Sequence, residues 1–203
     1  ADVVLAAGSA ENPKKAADAI AETGAPKPMA VPGDLRLLEN CVQLFETVRD
    51  RHGGCDILVN SAGATKAGSF TELSDETWHD GFALKFYAAV RLSRLFWPYL
   101  RTAEGHVVNI IGGAARTPSA DFLIGGSVNA ALGNFSKGLA DLGKKEGVNV
   151  NAIHPGRTLT DRTYDLLNQK AAARVVTPAE IEAEEVKKEG IRRMGMPEDI
   201  SAL

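Results

Sequence analysis

The sequence predicts an α/β fold: a doubly wound parallel sheet with helices on both faces, in three layers. Two observations carry this. Short apolar runs at residues 3–7, 28–31, 57–59, 106–111 and 148–153 alternate with longer stretches of helical composition, and that alternation calls for right-handed βαβ units and hence parallel strands. The runs lead into turns that contain glycine or proline, at Gly8, Gly33, Gly63, Gly112 and Pro155. Strand ends of this kind, and the helix starts that follow them, are where an open parallel sheet holds ligands. A chain of 203 residues suits one such domain.

In chain order, residues 11–22 form the first helix, with Pro13 near its start, where proline is tolerated, and Gly24 as its stop. After the strand at 28–31 and the turn Gly33-Asp34-Leu35, a second helix reaches residue 51. Its apolar positions are Leu38, Cys41, Val42, Leu44, Phe45 and Val48, and Gly53-Gly54 breaks it. The run at 57–59 has no polar face, so it is expected to be central and buried. Ser74 reads as the cap of a long helix to about residue 99, which Pro98 bends or finishes.

The strand at 106–111 passes through a glycine-rich loop into a helix that starts near Asp121, with Asp121 as its expected cap. That helix carries Gly125, Gly126, Gly133, Gly138 and Gly143 and is poor by propensity. Gly126 and Gly133 fall on one face, which suits close approach of another helix. Residues 161–190 read as one or two polar-faced helices, and Pro197 opens a further one.

Composition excludes several function classes. A net charge of -3 and a pI near 5.9 argue against a nucleic-acid partner and against binding to an acidic membrane. No apolar run approaches the roughly 18 residues needed to span a bilayer. Cys41 and Cys55 cannot make a metal-binding set and show no disulfide framework, and the four histidines are scattered. No metal is expected, and two free thiols fit a reducing compartment, the cytoplasm.

Four separated motifs resemble those of the short-chain dehydrogenase/reductase family. Asn60-Ser61-Ala62-Gly63 is similar to its Asn-Asn-Ala-Gly motif, and Gly33-Asp34-Leu35 to the turn whose Asp contacts adenine. Asn151-Ala-Ile-His-Pro155-Gly156 with Thr160 resembles the segment that holds the nicotinamide. Met194-Gly-Met-Pro197-Glu198-Asp199-Ile200 resembles the segment before the last strand. The resemblance covers essentially the whole chain and implies a Rossmann-like fold, a bound NAD or NADP, a small-molecule substrate, and a homodimer or homotetramer. It implies cofactor contacts at Asp34, Leu35, Asn60, Ala62, Gly63, Pro155, Gly156 and Thr160. Ala7-Gly8, where the family often places an Asp for NAD or an Arg for NADP, has neither, so both cofactors stay open.

The family's first strand and its glycine-rich phosphate loop have no counterpart at or after Ala1. The expectation is a single domain over residues 1–203 that is incomplete at both ends, with about 20 to 40 further residues ahead of Ala1. The family's first strand lies between those at 3–7 and 57–59, so these two are expected to stand two strand spacings apart, roughly 10 Å, and not to pair.

The family's catalytic residues are replaced. Aligned by motif, its Ser falls on Gly112, its Tyr on Gly125, its Lys on Asn129 and its Asn on Lys85. Glycine has no side chain to donate, so the family's ordinary proton transfer cannot run through 112 or 125. Lys and Asn are transposed, which suggests that the site's positive charge is kept and comes from the other helix, with Lys85 and Asn129 as the candidate catalytic pair. Two function classes stay open: an NAD(P)-dependent oxidoreductase working by a variant mechanism, and an inactive relative with a nucleotide-binding, structural or regulatory role.

Overall fold

The computed structural model describes residues 1–202, the side chain of Arg162 aside. Among the described residues there are five strands and eight α-helices, and strand and helix segments alternate as expected up to β5. The first part holds β1 (Val4–Ala7), α1 (Glu11–Glu22), β2 (Met29–Pro32), α2 (Leu38–His52) and β3 (Ile57–Asn60). Next come α3 (Asp75–Phe82), a five-residue π-turn (Ala83–Tyr87), α4 (Ala88–Thr102) and β4 (His106–Ile110). Two short 3-10 turns (Gly113–Ala115 and Ala120–Phe122) lead to α5 (Leu123–Glu146) and β5 (Asn149–Ile153). The rest is α6 (Asp161–Arg174), α7 (Pro178–Glu189) and α8 (Pro197–Ser201). By its internal contacts the chain divides into two compact units, Ala1–Ile153 and a second that begins at His154.

Every strand pair is parallel. In the first unit β1 pairs with β2, and β3, β4 and β5 form a separate ladder in that order. Among the described residues β1 does not pair with β3, as the sequence led us to expect. One face of the larger ladder is covered by helices, because α2 and α4 turn Cys41, Leu44, Val48, Leu92, Phe96 and Leu100 onto Leu58 and Val107. Burying several such side chains stabilises the fold by about 1.5–3 kcal/mol each.

The structure departs from the sequence reading in four places. Among the described residues β3 is the outer strand of its ladder, next to the place where the sequence reading puts a further strand: Leu58 is buried, while Ile57 and Val59 are 61% and 55% exposed. An all-apolar run shows that a strand is able to bury both faces, while its neighbours decide whether it does. Pro98 does not finish α4, which runs on to Thr102. Asp121 does not cap α5; it lies in a 3-10 turn, and its carbonyl accepts a hydrogen bond from Gly68 N at 3.2 Å. Gly126 and Gly133 face the segment after β4 and not another helix, with Ala114 O and Ile111 Cδ1 their nearest neighbours.

Polar side chains join the strand ends to the helices. Asn60 Nδ2 donates to Asn109 Oδ1 at 2.8 Å and to Ser93 Oγ at 3.3 Å. Asn109 Nδ2 donates to Ser136 Oγ at 2.8 Å, and that hydroxyl donates to Leu132 O at 2.7 Å. All four polar residues are buried, and Asn109 is fully so. The chain ties β3, β4, α4 and α5 together just where the strands give way to loops.

The second unit is a helical hairpin of α6 and α7 packed on Leu167, Ala171, Ile181 and Met194. Thr177 and Glu180 form a reciprocal capping box at the start of α7, which satisfies two of its unpaired N–H groups. None of the described helices is long and apolar enough to cross a membrane.

Removing one member of the Asn60–Asn109–Ser136 chain leaves its partners buried without bonds, which costs about 1–3 kcal/mol for each stranded group. Asn109→Ala is therefore expected to lower the urea midpoint by an amount equivalent to at least 2 kcal/mol, roughly. An unchanged midpoint would show that solvent reaches these groups after all.

Candidate functional site

Asn60, Ala62 and Gly63 lie at the carboxyl end of β3, and Asp34 and Leu35 follow β2. Beyond Asn60, whose side chain is taken up by the buried network, the chain runs through Ser61, Ala62 and Gly63 with partly exposed backbone. Lys85 lies across this segment. A Cβ built on Gly63 would stand 3.1 Å from Lys85 Cδ and 3.5 Å from Nζ, so the lysine side chain lies closely along the glycine.

Lys85 sits in the π-turn, a local unwinding that is frequent at functional sites. It is half-buried, and among the described residues it has neither an ion pair nor a hydrogen bond. Burial alone holds its pKa below the usual lysine range. An ammonium in that condition is a better proton donor than an exposed one and becomes a base more easily.

Asn129 is buried in α5 and bridges two stretches of backbone. Its Oδ1 accepts from Gly112 N at 2.6 Å, and its Nδ2 donates to Gly125 O at 2.7 Å. Both glycines are in tight quarters. A Cβ on Gly112 would come within 2.9 Å of Asn129 Nδ2, and one on Gly125 within 2.0 Å of Phe122 Cε1. The Phe122 ring therefore fills the space into which a side chain at 125 would grow. Sequence reasoning passed over Phe122; its place three residues before Gly125 was the available clue.

The lysine-bearing helix and the start of α5 meet at Gly81, one turn before Lys85. A Cβ there would stand 2.6 Å from Ile124 Cγ2 and 3.3 Å from Thr65 Cγ2. The loop after β3, the helix of Lys85 and the start of α5 thus converge on a point where no side chain fits. Ser127 and Tyr87 are both exposed, as expected for positions off this face.

Asp34 lies after β2, and its Oδ1 is already engaged. It accepts from Arg36 N at 3.0 Å and from Arg36 Nη1 at 3.1 Å. The neighbouring Leu35 is buried in the core of α2 and α4. Arg36 is a second residue the sequence reading missed. Burial raises the thiol pKa of both Cys41 and Cys55, which disfavours the thiolate form that a nucleophile needs.

Pro155, Gly156 and Thr160 belong to the second unit, and the pair His154-Pro155 opens it. Thr160 is exposed at the start of α6, its hydroxyl 3.2 Å from that of Thr163. Arg157 is fixed by Glu185 at 2.6 Å and by Glu189. No cluster of three or more His, Cys, Asp or Glu side chains able to hold a metal occurs among the described residues.

Comparison with known proteins places these features in context. The sequence profile of the family described as short chain dehydrogenase matches residues 1–171. YvaG, an uncharacterized oxidoreductase of Bacillus subtilis, is 30% identical over 83% of this chain and 64% of its own length. The 3-oxoacyl-[acyl-carrier-protein] reductase FabG of Vibrio cholerae is 26% identical over 81% of this chain and 63% of its own. The chain thus spans somewhat under two thirds of these relatives. Among solved structures, L-sorbose reductase from Gluconobacter frateurii, complexed with NADPH and L-sorbose, superposes with a TM-score of 0.92 at 29% identity. That match covers 99% of this chain and 77% of the reductase.

Because burial depresses the Lys85 pKa, folding disfavours its charged form, and the cost is fully present below the folded-state pKa. It fades as pH rises from there towards the unfolded value of about 10.4. Lys85→Met is therefore expected to raise Tm at pH 7, by about 2–4 °C for each kcal/mol relieved. The gap between variant and wild type should narrow steadily as the pH is taken to about 10. A gap that widens with pH would reverse the sign of the burial effect.

Proposed function

The chain belongs to the short chain dehydrogenase family, and on that premise we propose that it is part of an NAD(P)-dependent oxidoreductase. The reaction is hydride transfer between the nicotinamide and the carbonyl or alcohol carbon of a small molecule. The observation that carries the reading is Lys85: a half-buried ammonium, unpaired among the described residues, laid against Gly63 at the carboxyl ends of the strands.

The donor set fits such a cofactor. Asp34 keeps one carboxylate oxygen for an adenine amino group, while Asn60, Ala62 and Gly63 form a thin-walled loop for a flat ligand. Leu35 packs beneath Asp34. In the second unit Pro155 and Gly156 shape a turn, and the Thr160 hydroxyl suits a carboxamide. When bound, NAD(P)H supplies the hydride.

The chain's own residues handle the proton. As the carbonyl carbon is reduced, Lys85 Nζ gives a proton to the carbonyl oxygen, and the neutral amine left behind takes its replacement from solvent. Asn129 acts as a positioning residue: its amide holds Gly112 to Gly125 and keeps one N–H for a ribose hydroxyl. The two free thiols support a cytoplasmic setting, and the family likeness supports a homodimer or homotetramer.

The test uses the full-length protein. NADH and NADPH are titrated by fluorescence, and carbonyls are then screened for turnover, with ketoses first because of the likeness to a sorbose reductase. Lys85→Met is expected to lower kcat by about 10²–10⁴-fold and to leave cofactor Kd nearly unchanged. In the wild type, kcat for carbonyl reduction should fall as pH rises through the depressed Lys85 pKa, and the variant should lack that limb. Full turnover in Lys85→Met would remove the lysine from the mechanism. Cofactor binding with no turnover of any carbonyl would instead favour an inactive, nucleotide-binding relative.

A further inference from the structure

Arg36 is where the loop of Asp34 is fastened to the helix of Lys85. Its Nη1 and its backbone N both donate to Asp34 Oδ1, at 3.1 Å and 3.0 Å. Its Nε stands 2.5 Å from Asp80 Oδ1 in an ion-pair contact that is not aligned as a hydrogen bond, and Nη2 donates to Asp80 Oδ2 at 3.5 Å. From the other direction, Arg91 Nη1 donates to Arg36 O at 2.8 Å.

Asp80 and Arg91 lie on the same continuous helical run, one to two turns before and after Lys85. The two fastenings therefore straddle the π-turn. Although burial works against the Arg36 charge, its hydrogen bonds to Asp80 and Asp34 outweigh this and raise its pKa, so the guanidinium stays charged. A guanidinium is suited to this task because its rigid fork serves two carboxylates at once.

We propose that Arg36 is a positioning residue for the cofactor: braced on Asp80, it fixes the Asp34 carboxylate so that the second oxygen is left to the adenine amino group. The brace ties the adenine end of the site to the helix that delivers the proton. The proposal rests on Asp34 as the adenine contact, given above.

The measurement separates the two. Full-length wild type, Arg36→Met and Asp80→Asn are titrated with whichever of NADH or NADPH binds more tightly, and with reduced nicotinamide mononucleotide, which lacks the adenylate half. Tm is recorded for each protein. Both variants are expected to lose about tenfold in affinity for the dinucleotide and nothing for the mononucleotide. Arg36→Lys, which keeps the charge but not the fork, should recover only part of the loss. If wild type binds both ligands equally, the adenine reading fails and this inference goes with it. If wild type prefers the dinucleotide and both variants keep that preference in full, the positioning role alone is overturned. Equal losses for both ligands, with a lowered Tm, would likewise overturn it, since the clamp would then serve only the fold.

Discussion

Everything at the carboxyl ends of β3 and β4 depends on the buried chain of amides and hydroxyls that runs from Ser93 through Asn60 and Asn109 to Ser136. Each link is a directional bond in a low-dielectric setting, where a satisfied group is held firmly and an unsatisfied one is costly. The chain fixes the relative height of two strands and two helices to within a hydrogen-bond length. Ser61-Ala62-Gly63 leaves β3 directly from Asn60, and Ile111-Gly112 follows β4 two residues after Asn109. Their starting points are thus set by the network and not by loop contacts.

From those starting points the loops approach helices at positions where no Cβ fits. Gly81 lets Ile124 and Thr65 close on the lysine-bearing helix, and Gly112 lets the Asn129 amide reach backbone. Gly125 is a different case. The Phe122 ring covers it, so a tyrosine at 125 and a phenylalanine ring in this position are mutually exclusive. The glycine and the aromatic residue form one packing solution, in which the ring fills the space that a side chain at 125 would take. An apolar ring also dries the space beside it, which strengthens any charge placed there.

Much of this architecture was legible because it rests on periodicity. The alternation of apolar runs with helical segments correctly announces parallel strands, and the helix read at 11–22, the end of the second helix at 51 and the strand at 148–153 agree with the structure to within a residue or two. What failed depends on contacts between distant segments. The exposure of Ile57 and Val59 turns on what packs against β3. The role expected of Asp121 as a cap fell to no side chain at all, because a 3-10 turn precedes α5 and its N-cap is Phe122. In the site, the motifs located Gly63 and Lys85, but the contact between them needed the fold. Arg36 stayed hidden because its partners Asp80 and Arg91 lie 44 and 55 residues away in sequence, and no local pattern encodes that clamp.

Lys85 shows how a broken pattern carries information. Gly81, Ala88, Ala89, Leu92, Phe96 and Leu100 form the buried stripe of the run from α3 to α4, and Lys85 stands inside that stripe at helical spacing. A lysine on a core face is costly, since burial penalises its charge and among the described residues no carboxylate offsets it. The bland resolution is for the long side chain to snorkel to solvent. Here the chain lies along Gly63, itself exposed, and the ammonium stands 3.5 Å from where a Cβ on Gly63 would be and keeps contact with solvent. Partial burial and the lack of a neutralising acid among the described residues both work against stability at this position. The π-turn, the partial burial and the absence of a carboxylate partner among the described residues are the observations on which the proposed proton-donor role of Lys85 rests.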